Sequence, residues 1–413
     1  MADMLAGLRV FDLATVTAGA ACTQVLGDFG AEVIKVEAPH RPDLFRAWTE
    51  GSEGSASDLS CAPFRTVNRN KKGFAVDLKQ REGLQIAREL IANCDVVVEN
   101  FRQGVMARLG LGFDDLVRIR PDIVLVSVSS QGTTGPNADY GSYGSTLDAL
   151  GGTMSVTGYD ADTPLWSSNK VNYPDQTAAL LGPALILLGV LSARWSGRPR
   201  WIDMSQRELV TAMLLEEILR CSVGAPDPVP RANNGPAGVE WAIPCEGADD
   251  WVAVSVITSA HRQAIARVIG RPVLASVSDG DLATAVEKWS RGRSKGAVMD
   301  ALQAAGVPAA AVTKGYELHS DPFFQLIDFF KRVPLPDHGD ELQRGWIVRF
   351  DDEPGGQVRS RAPHVGEHTV QILQSLLGYR QPDIERLLDA EVIAQSGWRP
   401  GAGGHGGPID LRS

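Results

Sequence analysis

Cysteine is scarce in this 413-residue sequence, and its arrangement excludes two kinds of cross-linked protein. The count is odd, the spacing is wide and no CxxC pair occurs, which argues against a disulfide framework and against a zinc site. We therefore expect reduced, buried thiols and a cytoplasmic protein. The start, MADMLAGLRV, also lacks the basic and long apolar regions of a signal peptide. The cysteines are Cys22, Cys61, Cys94, Cys221 and Cys245.

Several nucleotide-binding and catalytic motifs are missing as well. In the turn TVTAGAA (15–21), Gly19 is the only glycine, so the GxGxxG fingerprint of dinucleotide-binding proteins is absent. Neither a Walker A loop nor the GxSxG elbow of α/β-hydrolases occurs. His364 and His368 have i,i+4 spacing but form no HExxH motif. We expect no metal site, and a nicotinamide-dependent oxidoreductase is disfavoured.

Basic residues are also outnumbered by acidic ones, which gives a formal net charge of −10. Such a chain is a poor candidate for binding nucleic acid or an anionic membrane through bulk charge. An anionic ligand would need local clusters of Arg and Lys. Residues 176–193 carry no charge, but their wholly apolar part, 178–191, is too short for a membrane span and contains Gly182 and Pro183. A buried core helix is the better interpretation.

The elements that are present alternate between strands and helices. Because strand–helix–strand units form parallel sheets with right-handed crossovers, this order predicts an α/β domain with a doubly wound sheet. A stretch rich in Pro, Gly and Asn at 225–238 indicates a linker or loop at the start of a smaller α/β domain over 225–325. The expected strands are 8–13, 32–37, 95–99 and 123–127, and the expected helices in this part are 20–29 and 83–92.

Three groups of residues are candidates for chemistry, and each has an ordinary structural alternative. The run from Asn68 to Lys72 could bind phosphate or form a solvated loop. Arg102 and Arg108 follow the strand DVVVE, and the carboxyl ends of strands are where open α/β sheets bind ligands, although the two could be simple surface charge. Asp175 directly precedes the apolar helix. It could cap that helix, or it could be an ionised nucleophile that the helix dipole stabilises.

Taken together, these segments resemble the class III CoA-transferase family, and they occur in family order over nearly the whole chain. The family includes formyl-CoA transferase, carnitine CoA-transferase and 2-methylacyl-CoA racemase. The matching segments are LAGLRVFDLATVTAGAACTQVLGDFGAEVIKVEAP (5–39), NRNKKGFAVDLKQREG (68–83), DVVVENFRQGVMARLGLGFDDL (95–116), PDIVLVSVSSQGTTGP (121–136), YGSTLDALGGTMSVTG (143–158), YPDQTAALLGPALILLGVLSAR (173–194), GVPAAAV (306–312) and APHVGEHTVQILQSLLG (362–378).

The resemblance implies a particular architecture. A large Rossmann-like, CoA-binding domain would be formed by both chain ends, 1–224 and 326–413, with the small α/β domain, 225–325, inserted between them. Two chains would interlock as a homodimer. The glycine-rich tail, 399–413, is expected to be disordered.

The resemblance also implies the chemistry: a CoA-transferase (EC 2.8.3.-) that moves coenzyme A from an acyl-CoA donor to a carboxylic acid. The covalent intermediates would be an aspartyl anhydride and an aspartyl-CoA thioester. Coenzyme A and acyl-CoA act as substrates, and no tightly bound cofactor is expected. Asp175 matches the catalytic aspartate. The matching CoA-binding positions are Val16, Thr17, Arg69, Lys71, Lys72 and Arg108.

The sequence departs from the family pattern at several points. Gly19-Ala20 stands where Gly-Pro is common, and the nearest counterpart of the glycine-rich loop of formyl-CoA transferase is 233–238. The racemase branch carries a catalytic His before the segment YGSTLDAL, whereas this chain has no His between His40 and His261. This absence disfavours a two-base racemase. An acyl-CoA racemase or isomerase of the same fold, and a non-catalytic CoA-binding protein, remain the alternative hypotheses.

Overall fold

The computed structural model describes residues 3–46, 61–159, 162–166, 172–226, 229–230, 238–335, 339–346, 348–351 and 353–396. The predictions for 399–413 and for most of the 233–238 loop lie outside these residues. The chain forms two compact units. The first contains Met1–Gly152, Ser167–Leu215 and Asp328–Ser413, and the second contains Thr153–Trp166 and Glu216–Ile327. The second unit therefore starts earlier than the expected 225, because the residues from Glu216 onward make their contacts mainly within it.

The first unit is built on a seven-stranded sheet with the order β14-β3-β2-β1-β4-β5-β6. Strands β1 to β6 are parallel to their neighbours and only β14 is antiparallel. The chain thus has a mixed α/β fold with a parallel central sheet. The sheet strands are β1 Arg9–Asp12, β2 Glu32–Glu37, β3 Lys71–Val76, β4 Val96–Glu99, β5 Val124–Ser129, β6 Arg200–Ser205 and β14 Ile393–Ala394.

Helices connect these strands and cover the sheet. The helices in the described part of the chain are α1 Ala18–Asp28, α2 Ala62–Asn68, α3 Arg81–Ile91, α4 Val105–Arg108, α5 Phe113–Ile119, α6 Gly144–Gly151, α7 Thr153–Val156, α8 Tyr173–Ser196, α9 Gln206–Ala212, α10 Leu215–Ser222, α11 Ser259–Ile269, α12 Asp279–Ser290, α13 Lys295–Ala304, α14 Gly315–Leu318, α15 Pro322–Leu326, α16 Thr369–Ser375 and α17 Gln381–Asp389. Short 3₁₀ turns occupy Leu44–Arg46 and Pro272–Ser276.

Both faces of the sheet are apolar, as expected for parallel strands that are covered on both sides. Val10 and Val96 point to one face, where they join the core formed with α1 and α8. Phe11 and Val97, the next residues along the same strands, point to the other face and pack with α3, α5, α16 and α17. Side chains alternate between faces along a strand, so these short apolar runs build two cores at once.

The second unit has its own core around a three-stranded antiparallel sheet, β7 Val239–Pro244, β8 Trp251–Val256 and β9 Ala309–Ala311. Helices α11, α12 and α13 contribute buried residues to this core. The first unit carries two further hairpins, formed by β10 Phe330–Leu335 with β11 Gly339–Arg344 and by β12 Arg349–Phe350 with β13 Glu353–Pro354.

The long helix α8 packs closely on α1. A Cβ atom at Gly182 would lie 2.4 Å from Cys22 Sγ, so only glycine permits this approach. Cys22 Sγ also lies 3.1 Å from the carbonyl oxygen of Ala178, near the start of α8. Helix α1 follows β1 and α8 precedes the parallel strand β6, so both helices begin at the carboxyl edge of the sheet.

Candidate active site

A cavity of about 740 Å³ opens at the carboxyl edge of the sheet, within the first unit. Its lining comes from the ends of neighbouring strands and the segments that follow them. Thr15 follows β1, Glu37 ends β2, Asp77 follows β3 and Phe101 follows β4. Parallel α/β sheets bind their ligands at this edge, because the loops that leave the strands converge there.

The cavity is lined by cations that lack internal partners. Four basic side chains are exposed in it, and none forms an ion pair with a residue that the structure describes; they are Arg41, Lys79, Arg102 and Arg108. Two of the acidic lining residues, Glu37 and Asp43, are already paired with the buried Arg46 and Lys35. The cavity therefore has an excess of positive charge and favours an anionic ligand.

Asp175 lies at the same edge, as the third residue of α8. Its Oδ1 accepts a hydrogen bond of 2.8 Å from Gln206 Nε2, at the start of α9, and it is also bonded to the side chain of Asn172. A Cβ atom at Gly144 would lie 2.3 Å from Asn172, so the glycine makes room for this partner. Two amide side chains thus hold a carboxylate at the N-terminus of a 24-residue helix.

The environment of Asp175 raises the pKa of its carboxyl group. Burial is the main cause, because removal from water disfavours the charged form. The hydrogen bonds from Gln206 and Asn172 oppose this shift, whereas the negative charge of Asp148 adds to it. The helix dipole favours the ionised form. A carboxylate that has lost much of its water but faces a helix N-terminus is suited to act as a nucleophile.

Val16 and Thr17 form the turn between β1 and α1. Val16 adopts a left-handed backbone conformation with φ of 61°, and Thr17 occupies the N-cap position of α1 without a side-chain capping bond. Cys22 in α1 contacts Ala178 in α8, and both helices begin at the carboxyl edge, so this turn and Asp175 lie at neighbouring helix N-termini.

Arg69 and Lys71 are placed differently from the expected phosphate-binding residues. Arg69 is only 1% exposed and forms an ion pair of 2.6 Å with Asp28. Lys71 Nζ is fully buried and donates to Asp12 and Asn68 and to the carbonyl oxygen of Ala20. Both cations are fully engaged inside the protein. The geometry therefore supports a structural role for them and not a role in binding nucleotide phosphates.

Lys72 also lies away from the cavity. It is the second residue of β3 and pairs with Glu32, the first residue of β2, at the amino edge of the sheet. At about 3.3 Å per residue, the four steps along the strand from Lys72 to Val76 span roughly 13 Å. Of the four predicted basic residues, only Arg108 lines the carboxyl-edge cavity.

Two of the cavity cations, Arg41 and Lys79, were not predicted from the sequence, and the resemblance implied no CoA-binding role for Arg102. A usable signal was present, because Arg41 and Lys79 follow β2 and β3 within four residues. Basic residues directly after strands reach the ligand edge, whereas the run at 69–72 precedes its strand. Among the described residues, no group of three or more His, Cys, Asp or Glu side chains could hold a metal ion.

A parallel sheet with a cation-lined cavity and a half-buried carboxylate at one edge is the arrangement of an α/β enzyme that binds an anionic substrate. Comparison with known proteins gives the family: a sequence model described as CoA-transferase family III matches residues 5–369. The chain belongs to this family, and it is accordingly a CoA-transferase that uses CoA thioesters as substrates.

Similar proteins support this assignment over almost the full length. The succinyl-CoA–L-malate CoA-transferase beta subunit of Chloroflexus aurantiacus is 31% identical and the match covers 94% of this chain and 98% of that protein. A formyl-CoA:oxalate CoA-transferase of Streptomyces coelicolor is 29% identical, with coverage of 95% and 100%. The crystal structure of a CAIB/BAIF family protein from Brucella suis superposes with a TM-score of 0.81 at 25% identity, covering 90% of this chain and 99% of that one.

Proposed function

We propose that the protein transfers coenzyme A between carboxylic acids with Asp175 as the covalent nucleophile. The Asp175 carboxylate attacks the thioester carbonyl of the donor, the C–S bond breaks, and an aspartyl–acyl anhydride and CoA thiolate result. The thiolate then attacks the aspartyl carbonyl, which releases the donor acid and leaves an aspartyl-CoA thioester. The observation that carries this proposal is the half-buried carboxylate of Asp175 at the N-terminus of α8, on the edge that holds the cavity.

The second half of the reaction reverses the first with a new acid. The acceptor carboxylate attacks the aspartyl thioester, giving a second anhydride and CoA thiolate, and the thiolate attacks the acceptor carbonyl. The new acyl-CoA leaves and Asp175 is regenerated as a carboxylate. Each step exchanges one activated acyl group for another, so the transfer is divided into several smaller barriers.

The cavity suits the phosphates of coenzyme A. Its four exposed cations, Arg41, Lys79, Arg102 and Arg108, would form charge-assisted hydrogen bonds with the phosphate oxygens. At the start of α1, the backbone N–H groups of Thr17, Ala18 and Gly19 have no acceptor among the described residues. Such free donors beside the nucleophile would stabilise the oxyanion that forms at each attack.

Chemical trapping tests the covalent mechanism. The enzyme is incubated with an acyl-CoA donor, treated with hydroxylamine, and analysed by intact mass and peptide mapping. The names of the relatives suggest succinyl-CoA and formyl-CoA as first donors, with L-malate and oxalate as first acceptors. A hydroxamate on Asp175 that forms only with a thioester donor supports the proposal. Binding of CoA without any modification, with every donor of the panel, would favour the CoA-binding protein or the isomerase.

The rate of transfer should fall at acidic pH, because only the ionised Asp175 can attack. Its pKa lies above the ordinary aspartate value of 3.8, so the acid limb of kcat/KM should lie above that pH. Asp148→Asn removes a like charge and should move the limb to lower pH. Gln206→Leu removes a bond that favours the carboxylate and should move it to higher pH. Shifts in the same direction, measured in rate profiles of the two variants, would contradict this account.

We propose that the chain works as a homodimer in the cytoplasm, with α8 as a contact surface. The helix carries an exposed apolar stripe at spacings of three and four residues: Leu180, Ala184, Leu188, Leu191 and Trp195. Leu180 is 77% exposed and Trp195 is 82% exposed. By length and composition alone, this helix is also long and apolar enough to cross a membrane. An exposed apolar stripe on a helix is typical of a protein–protein contact.

A charge in this stripe should dissociate the dimer. Leu188 is 61% exposed within the chain, so Leu188→Asp should leave the fold intact while placing a carboxylate in the proposed contact. We expect wild type and the control Leu188→Met to sediment as dimers and Leu188→Asp as a monomer. A monomeric wild type, or a dimeric Leu188→Asp variant, would exclude this contact.

A further inference from the structure

Val16 has a backbone conformation that its side chain opposes. Its φ of 61° lies in the left-handed region, which β-branched residues rarely adopt. Such strain costs about 1–3 kcal/mol and persists only where the surroundings impose it. Here the backbone N–H of Val16 donates to the carboxylate of Asp43, at 3.1 Å from Oδ1 and 3.3 Å from Oδ2. Asp43 lies 27 positions later in the sequence, so a residue outside the turn holds the turn in this conformation.

Asp43 is itself held rigidly. It is 2% exposed, and its carboxylate accepts hydrogen bonds from the backbone of Phe45 at 3.0 Å and from Lys35 Nζ at 2.8 Å. Burial alone would raise the pKa of this carboxyl group, but the charge and the hydrogen bond of Lys35, together with the backbone N–H groups of Phe45 and Val16, outweigh it, so the pKa is lowered. The ammonium group of Lys35 also donates to the carbonyl oxygen of Ala14, two residues before Val16. One buried ion pair therefore holds the turn at two points.

The remaining peptide of the turn is fixed by Asn100, which follows β4. The N–H of Thr15 donates to Asn100 Oδ1 at 2.9 Å, and Asn100 Nδ2 donates to the carbonyl oxygen of Thr15 at 2.7 Å. The backbone N–H groups of Thr15 and Val16 are thus hydrogen-bonded to side chains from other parts of the chain. The free N–H groups begin immediately afterwards, at the start of α1. Their direction depends on the φ and ψ angles of Val16.

We propose that Asp43, held by Lys35, is a positioning residue for the transfer reaction. By keeping Val16 left-handed, it aims the first N–H groups of α1 at the acyl oxygen that becomes negative when Asp175 attacks or is attacked. This role rests on the proposed function of Asp175. A buried ion pair is weak evidence of stabilisation by itself, since its desolvation offsets much of its attraction. Here, however, the Asp43–Lys35 pair is hydrogen-bonded to the strained turn at Val16, on the edge of the sheet where Asp175 lies.

A glycine at position 16 distinguishes a positioning role of Asp43 from a simple effect of Asp43 on stability. Glycine adopts left-handed angles at no steric cost, so a glycine at position 16 would keep the turn without help from Asp43. Asp43→Asn should lower kcat by about 100-fold, as loss of an oxyanion donor does, with KM for acyl-CoA changed by less than about threefold. Val16→Gly alone is the reference, because any change that glycine itself causes at this position appears in it while Asp43 is still present. The double variant Asp43→Asn/Val16→Gly should recover at least about tenfold of the lost kcat.

The experiment measures kcat, KM and the single-turnover rate of Asp175 hydroxamate formation on folded samples of all four proteins. If Asp43→Asn does not fold, Asp43→Glu replaces it, because the longer side chain keeps the charge for Lys35 but shifts it. An Asp43 variant that melts earlier yet retains full kcat would overturn the proposal. So would a loss of kcat that Val16→Gly does not restore. Failure of the proposed function would appear separately, as a wild-type enzyme that never forms the hydroxamate.

Discussion

Replacement of Asp175 by alanine is expected to lower kcat at least about 10⁴-fold, in the range that loss of a covalent nucleophile produces. Binding of CoA should change by less than about threefold, because the cavity cations lie on other elements. Steady-state rates and a direct binding measurement, such as calorimetry with CoA, separate the two effects. The variant should also form no hydroxamate when it is treated with donor and hydroxylamine.

Two companion variants make this result specific. Asp114 is exposed and lies in the first turn of α5, so Asp114→Ala removes an acidic helix-start residue from the same unit without touching the site. It should retain full activity. Asp175→Glu keeps the carboxylate but displaces it by one methylene, and a shift of about 1 Å can cost roughly 100-fold in rate. Transfer by Asp175→Ala at more than a few per cent of the wild-type rate would remove this residue from the covalent role.

The family, the parallel α/β fold and several elements could be predicted from the sequence, because buried parallel strands leave a direct signature. The runs at 32–37 and 95–99 are short and rich in Val and Ile, and the structure has strands at Glu32–Glu37 and Val96–Glu99. Strand β3, Lys71–Val76, was not predicted, because its two lysines made it look like a solvated loop. Strand β6, Arg200–Ser205, was missed because it is an edge strand with exposed residues and follows a basic turn.

Because β3 was not predicted, the basic residues at 69–72 were expected at the ligand-binding edge of the sheet. Whether a basic residue reaches the ligand edge depends on whether it precedes or follows its strand, and 68–72 was not recognised as leading into one. Its lysines therefore start β3 at the amino edge, while Lys79 follows the same strand and lines the cavity. The partner of Arg69 is equally hidden from sequence. Asp28 lies 41 positions away, and only the packing of α1 against α2, whose C-cap is Arg69, brings the two together.

Arg69 and Arg108, which the resemblance assigned to the same role, should therefore respond in opposite ways to substitution by methionine. Arg69→Met leaves Asp28 buried without its cation, and removal of one partner of a buried ion pair costs about 3–5 kcal/mol in the free energy of unfolding. Arg108→Met removes an exposed cavity cation. It should raise KM for acyl-CoA about tenfold, equivalent to one lost charge-assisted hydrogen bond, and leave stability unchanged.

Urea unfolding and steady-state kinetics on both variants test this contrast. The stability of Arg69→Met should fall while KM for its folded fraction stays within about twofold of wild type, because Arg69 is 1% exposed and cannot reach a ligand in the cavity. A raised KM with unchanged stability for Arg69→Met would restore its phosphate-binding role. A stability loss without a KM effect for Arg108→Met would remove that residue from the CoA site. The charge of Arg69 is already neutralised inside the protein by Asp28, so we expect the phosphates of CoA to bind beside Arg108 and not beside Arg69.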